Sequence, residues 1–170
     1  MADYFTPTDI QQTIPEADMT PLERPLLSHV FAAARDGDGW YFFAESQPAD
    51  TFIVARAALE AALAASQLDV DNTANSFVTK LLASLKGEEL QEAHLDFDLS
   101  QTSWEFIVQD IVRRSTTLRY VSAVSSFTCS RMRVDGFGGA VVVISADAIL
   151  GKSTNDPLEE FIEQGAPGSD

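Results

Sequence analysis

The sequence predicts an α+β fold: one domain with a mostly antiparallel sheet of about five strands and about five helices. Three observations carry this expectation. Residues 92–99 alternate cleanly, with Ala93, Leu95, Phe97 and Leu99 on one side and Glu92, His94, Asp96 and Asp98 on the other, which is the period of a strand with one wet face. Residues 104–112 instead place Trp104, Ile107, Val108, Ile111 and Val112 at helical spacing, the pattern of a buried stripe. Turn signals of the hairpin type, Asp36-Gly37-Asp38-Gly39 and Asp135-Gly136 with Gly138-Gly139, outnumber any alternating strand–helix rhythm.

Taken in order, residues 1–19 are acidic, carry Pro7 and Pro15, and read as a flexible N-terminal arm laid on the body by Tyr4, Phe5 and Ile10. Thr20-Pro21-Leu22-Glu23 has the form of a capping box with proline at the first helical position. Leu22, Leu26, Leu27, Val30 and Phe31 then follow near helical spacing, and because Pro25 lacks an amide N–H a helix is expected from Pro25 to about Ala34. Trp40–Glu45 and Thr51–Ala55 read as two short strands forming a hairpin across Gln47–Asp50. Arg56–Ser66 is alanine-rich and helical by propensity. A further helix is expected over 72–86, with Phe77, Val78, Leu81, Leu82 and Leu85 as its stripe and Gly87 as its cap.

After the strand at 92–99, Thr102-Ser103-Trp104-Glu105 is a second capping box, and Arg113 and Arg114 suit the negative C-terminal end of the helix that follows. Leu118–Ser130 and Ala140–Ser145 read as central strands. Ala146–Leu150 reads as a helical turn ending at Gly151. Asp156-Pro157-Leu158-Glu159 caps a last helix whose Leu158, Phe161 and Ile162 are expected to face inward. Residues 20–164 thus form the domain, and 165–170 a flexible tail.

The chain has 170 residues, 45% of them hydrophobic, with eleven phenylalanines and a single cysteine. That length buries about two-thirds of the unfolded surface. A lone thiol argues against an oxidised, disulfide-built scaffold. The first residues lack a basic and then apolar leader pattern, and no apolar run is long enough to span a bilayer. A cytoplasmic protein without a membrane partner is the expectation.

The formal charge of −15 is unevenly spread. Residues 1–112 carry 19 acids and 5 bases, 113–134 carry five arginines and no acid, and 135–170 carry seven acids and one lysine. Such a field disfavours direct contact with nucleic acid and favours basic protein surfaces. Glu92, Asp96 and Asp98 form the best row of partner-binding carboxylates. With His94, Asp96 and Asp98 could also contribute metal ligands. The plainer alternative is a solvated strand face that discourages edge pairing.

Other motifs are weaker. Gly151-Lys152-Ser153-Thr154 evokes a phosphate loop, but Ala146 stands where the motif needs glycine. Asp36-Gly37-Asp38 begins like a calcium loop, but Gln47 occupies the place of the bidentate acid. Cys129 has no histidine partner in the sequence and reads as a buried thiol. Arg113, Arg114, Arg119, Arg131 and Arg133 are expected to neutralise acids within the fold, Arg131 and Arg133 against the 92–98 row.

Three stretches, Trp104–Arg114, Ser126–Gly139 and Gly151–Asp156, resemble an uncharacterised protein family of proteobacterial plasmids and integrative mobile elements. The resemblance implies a mobile-element setting and no activity or cofactor. Together with the charge, it leads to the expectation of a small acidic binding protein, not an enzyme. Its partner would be a host-defence or other DNA-binding protein, inhibited by imitation of nucleic-acid charge. The alternatives are a plasmid maintenance or assembly component that self-associates, or a metal-dependent enzyme built on His94, Asp96 and Asp98.

Overall fold

Ten strands and five α-helices, arranged around two antiparallel sheets, make up the described part of the computed structural model, which covers residues 2–66, 72–133 and 136–165. The strands are β1 (Tyr4–Phe5), β2 (Thr8–Ile10), β3 (Ile14–Pro15), β4 (Ala32–Asp36), β5 (Gly39–Ala44), β6 (Thr51–Ala55), β7 (His94–Asp98), β8 (Tyr120–Cys129), β9 (Gly138–Ser145) and β10 (Ile149–Ser153). The helices are α1 (Glu23–Val30), α2 (Arg56–Ser66), α3 (Thr73–Ser84), α4 (Trp104–Arg114) and α5 (Asn155–Gly165). The larger sheet has eight strands in the order β10-β9-β8-β2-β5-β3, with β1 added to β8 and β4 to β5. The smaller sheet is the pair β6-β7. The α+β class and antiparallel pairing hold, but the strand number is twice that expected.

The core lies on one face of the large sheet. Helix α4 buries Trp104, Ile107, Val108, Ile111 and Val112 together with Val121 and Ala123 of β8 and Ile144 of β9. Leu26, Leu27 and Val30 of α1 join Phe42 of β5 in the same cluster. Leu59 and Leu63 of α2 and Ala74 and Val78 of α3 extend it to Val54, Leu95 and Phe97 of the small sheet. Fully burying each such side chain contributes roughly 1.5–3 kcal/mol before conformational entropy is subtracted.

The first capping box forms as read: the Thr20 amide donates to Glu23 Oε2 (2.8 Å) and the Glu23 amide to Thr20 Oγ1 (3.2 Å). The second forms in part, since Ser103 is the cap and accepts from the Glu105 amide at 3.4 Å.

Several elements differ from the sequence expectation. Residues 1–19 do not stand off as an arm. They supply β1, β2 and β3, bury Ile10 and Ile14, and β2 bridges β5 and β8. Pairing on both sides satisfies the amides that proline-flanked, acidic sequence leaves without local structure. Helix α1 stops at Val30, because Ala32–Asp36 turns back as β4 against β5. Gly37, at φ 59°, makes that turn. Gly39 is required for a different reason: a Cβ there would stand 2.6 Å from the Ile14 carbonyl oxygen of the adjoining β3.

Strand β6 pairs with the distant β7 and not with β5, so the predicted hairpin does not exist. Residues 149–153 are the edge strand β10, not the end of a helical turn. Leu158, Phe161 and Ile162 of α5 do not face inward; they are 55%, 66% and 61% exposed. The predicted tail beyond residue 165 and the Asp135 part of the 131–139 loop lie outside the described residues.

Candidate partner-binding groove

Strand β7 presents its two sides as its alternation requires. Leu95 and Phe97 are buried, while His94, Asp96 and Asp98 are exposed. On the buried side Phe97 stacks on Phe52 (centroids 4.8 Å) and meets Phe77 of α3 edge-on (5.2 Å). These contacts fix α3 beside β7. Between them lies a groove of about 860 Å³ lined by Thr73, Ser76, Phe77, Lys80, Leu81 and Ser84 of α3, by Asp96 and Asp98, and at its end by Asn72, Thr102 and Asp110. A volume in this range accommodates a small molecule or a few side chains of a bound peptide.

The three acids of the groove differ in role. Asp110 of α4 is buried. Its Oδ2 accepts from the Thr73 amide (2.7 Å) and its Oδ1 from Arg113 (3.0 Å), so it ties the first turn of α3 to α4. Asn72 completes that end by capping α3, its Oδ1 accepting from the Asn75 amide at 2.8 Å. Asp98 is exposed and accepts from the Ser100 amide at 2.8 Å, which holds its carboxyl below the usual aspartate range. Among the described residues neither Asp96 nor Asp98 is in an ion pair. The groove therefore combines two carboxylates outside any ion pair among the described residues, the Lys80 side chain, several hydroxyls and the apolar surface of Phe77 and Leu81. Such a surface suits a cation on an apolar stem, as in an arginine or lysine side chain.

Of the carboxylates singled out from sequence, Asp96 and Asp98 line the groove. Glu92 is exposed beyond the start of β7 and does not. His94 lies on the same exposed side but outside the groove lining, and among the described residues no three His, Cys, Asp or Glu side chains come together as a metal site.

The internal pairing of arginines holds for two of them. Arg113 meets Asp110, and Arg114 Nη2 meets Glu23 Oε2 at 2.5 Å. Arg131 and Arg133 do not reach the β7 row, because β7 belongs to the small sheet and both arginines follow the end of β8. Arg133 Nη1 donates to the Tyr4 hydroxyl at 3.1 Å. Cys129 is buried, as read. Lys152 lies on β10 and donates to Glu160 at 3.0 Å, and Asp36-Gly37-Asp38 forms the β4–β5 turn.

Comparison with protein-family models, with curated proteins and with solved structures returns no match.

Sequence reasoning missed Lys80, Ser76 and Asp110 as groove residues, since α3 and α4 are brought to β7 only by tertiary packing. One signal was present for Asp110. Gln109 and Asp110 are polar yet buried in α4, and a polar residue inside a helix covered on several sides needs a partner. Gln109 finds the Ser145 carbonyl at 3.1 Å, and Asp110 finds Thr73 and Arg113.

Proposed function

We propose that this protein binds a basic segment of another protein through the α3–β7–α4 groove. The single observation that carries this reading is the placement of Asp96 and Asp98, unpaired among the described residues, in one groove with an apolar floor, on a chain of net charge −15. Arginine or lysine side chains would set their charged ends on the two carboxylates and their stems on Phe77 and Leu81. The surrounding field would raise the association rate and make the affinity salt-dependent.

A nucleic-acid-binding protein of a host defence system fits as the partner, since its basic site is built to receive a row of anions. The same reading places the protein in the cytoplasm and in the service of a mobile element. No helix among the described residues is long and apolar enough to cross a membrane. Self-association, the alternative from sequence, draws on a different surface, the uncovered face of the large sheet. The metal-enzyme alternative draws on His94, Asp96 and Asp98, which do not come together as a three-ligand group among the described residues.

The test is titration of a labelled arginine-rich peptide at low and moderate salt. Asp96→Ala with Asp98→Ala is expected to weaken binding about 10-fold, equivalent to about 1.4 kcal/mol. The same charge change at Glu45 and Asp147, both exposed and outside the groove, is expected to leave it within about 2-fold. Equal losses from the two pairs would reduce the effect to net charge and contradict the groove.

A further inference from the structure

Among the described residues, the face of the large sheet opposite the core is largely apolar and uncovered. Helices α1 and α4 pack on the other side, where Val121, Ala123 and Ile144 are buried. Alternation then puts Val124 of β8, Val141 and Val143 of β9 and Leu150 of β10 on the outer face, where they are 43%, 49%, 40% and 68% exposed. Tyr120, at 51%, shares this face. In an otherwise strongly acidic protein, the described strands β10, β9, β8 and β2 place two charged side chains on this face, Lys152 and Asp9, and Glu160 of α5 pairs with Lys152. A contiguous apolar face of this kind marks an interaction surface.

The register places those two charges at opposite ends of one row. Lys152 pairs with Val141, Val141 with Val124, and Val124 with Asp9. The row therefore reads cation, valine, valine, anion across three strand steps, about 14 Å. Lys152 is held at its end by Glu160, and Asp9 at its end by hydrogen bonds from Tyr41 and Gln11.

We propose that this face binds a second copy of the chain, the two outer faces stacking about a two-fold axis between Val124 and Val141. Such a row is its own complement. The two-fold lays Val124 on Val141 of the second copy and sets each Lys152 against the other copy's Asp9, the reciprocal arrangement that an isologous interface requires. Stacked sheets stand about 10 Å apart, within reach of these side chains. The two-fold also carries strand order across the interface, so that the position outside β10 in one copy lies beside β5 of the other. Helix α5 packs at the β10 edge with Leu158, Phe161 and Ile162 exposed. It thereby meets Tyr41 and Phe43, the outer-face residues of β5 in the second copy.

Within the row the charges of Lys152 and Asp9 cancel, and Glu160, paired with Lys152, brings one further carboxylate to each end of the interface. A basic partner drawn by the acidic field has no counterpart on this face. The surface is separate from the groove, so its failure would leave the groove reading standing.

The experiment is sedimentation of the full chain over a micromolar concentration range, with circular dichroism to confirm folding. Wild type is expected to be a dimer. Val124→Lys with Val141→Lys, at exposed positions, is expected to give a folded monomer. Lys152→Glu alone opposes two acids across the interface and is expected to weaken association about 10-fold. Lys152→Glu combined with Asp9→Lys restores the complementary row in reverse and is expected to recover most of that loss. A monomeric wild type, a dimer indifferent to the valine substitutions, or a charge swap without recovery would each overturn the proposal.

Discussion

The groove beside β7 and the outer face of the large sheet are built from the same strand alternation and end with opposite chemistry. In β7 the exposed positions are His94, Asp96 and Asp98, and the strand is covered behind by Phe52 and Phe77. In β8 and β9 the exposed positions are Tyr120, Val124, Val141 and Val143. The first surface holds two carboxylates outside any ion pair among the described residues, with Lys80 on the same lining. The second holds one lysine and one aspartate at the ends of an apolar row. A net charge of −15 therefore describes the chain and not its individual surfaces. Asp96 and Asp98 stand exposed beside an apolar groove, whereas the outer sheet face sets valines between a single lysine and a single aspartate.

The comparison can be broken at its supports. Phe97 is fully buried and carries the groove from beneath. Phe97→Ala is expected to cost about 3–5 kcal/mol, read as a large fall in the urea midpoint, with loss of peptide binding even where the chain remains folded. A loss below about 1 kcal/mol would mean that the Phe52–Phe97–Phe77 contacts do not hold α3 in place.

Asp110→Ala is next in size. It strands the Thr73 amide and removes the carboxylate partner of Arg113, which keeps its bonds to Gln109 and the Ala146 carbonyl, and about 1–3 kcal/mol of destabilisation is expected. The groove end should loosen with faster amide exchange at Thr73, while β8 and β9 remain protected. Equal deprotection of both regions would show that they unfold as one unit.

A pH titration sharpens the contrast between acids inside and outside the core. Burial pushes the Glu23 carboxyl above its ordinary value of 4.5, against the pull of Arg114 and Thr20. Asp98 is held below its ordinary 3.8 by the Ser100 amide. The folded state thus binds the Glu23 proton more tightly than the unfolded state does. Its contribution to stability is full below the ordinary value and is lost as pH rises through the elevated one. Asp98 acts in the reverse sense, contributing above its ordinary value and losing that contribution as pH falls through the lowered one. Melting curves of wild type and Glu23→Gln across mildly acidic pH should show the wild-type decline and a flatter profile in the variant. Parallel profiles would contradict the assignment to Glu23.

The smallest effect on the folded monomer is expected on the sheet face. Val124→Lys with Val141→Lys should change intrinsic monomer stability by less than about 0.5 kcal/mol per site, read by chemical denaturation at concentrations too low for association. A larger loss would mean that the two valines are packed within the single chain.

Much of the local structure was legible in the residues. The stripe of α4, the Thr20–Glu23 capping box and the alternation of β7 each depend on neighbours a few positions apart, and each forms as read. What was not legible depends on distant pairing. Ala32–Ala34 is all alanine and reads as the end of a helix, yet β5 recruits it through a glycine turn, a case of tertiary pairing overriding propensity. The first fifteen residues look unstructured because β2 is a strand only between β5 and β8. Thr51–Ala55 has β character, but nothing in its sequence names β7 as the partner.

The same division holds for the groove. Asp96 and Asp98 were visible as exposed acids of a strand. Their neighbours Lys80 and Ser76 were not, because α3 reaches them across the fold. The direction of the α5 stripe was also out of reach, since an amphipathic pattern shows that a face is apolar and not what covers it.

The most direct measurement is amide NMR on the labelled chain under two perturbations. Added arginine-rich peptide is predicted to shift Asp96, Asp98, Ser76 and Lys80 and to leave Val124, Val141 and Leu150 in place. Dilution of the protein alone is predicted to do the reverse. Shifts of both sets under both perturbations, or peptide-induced shifts scattered over all the acids, would contradict two separate surfaces with separate chemistry.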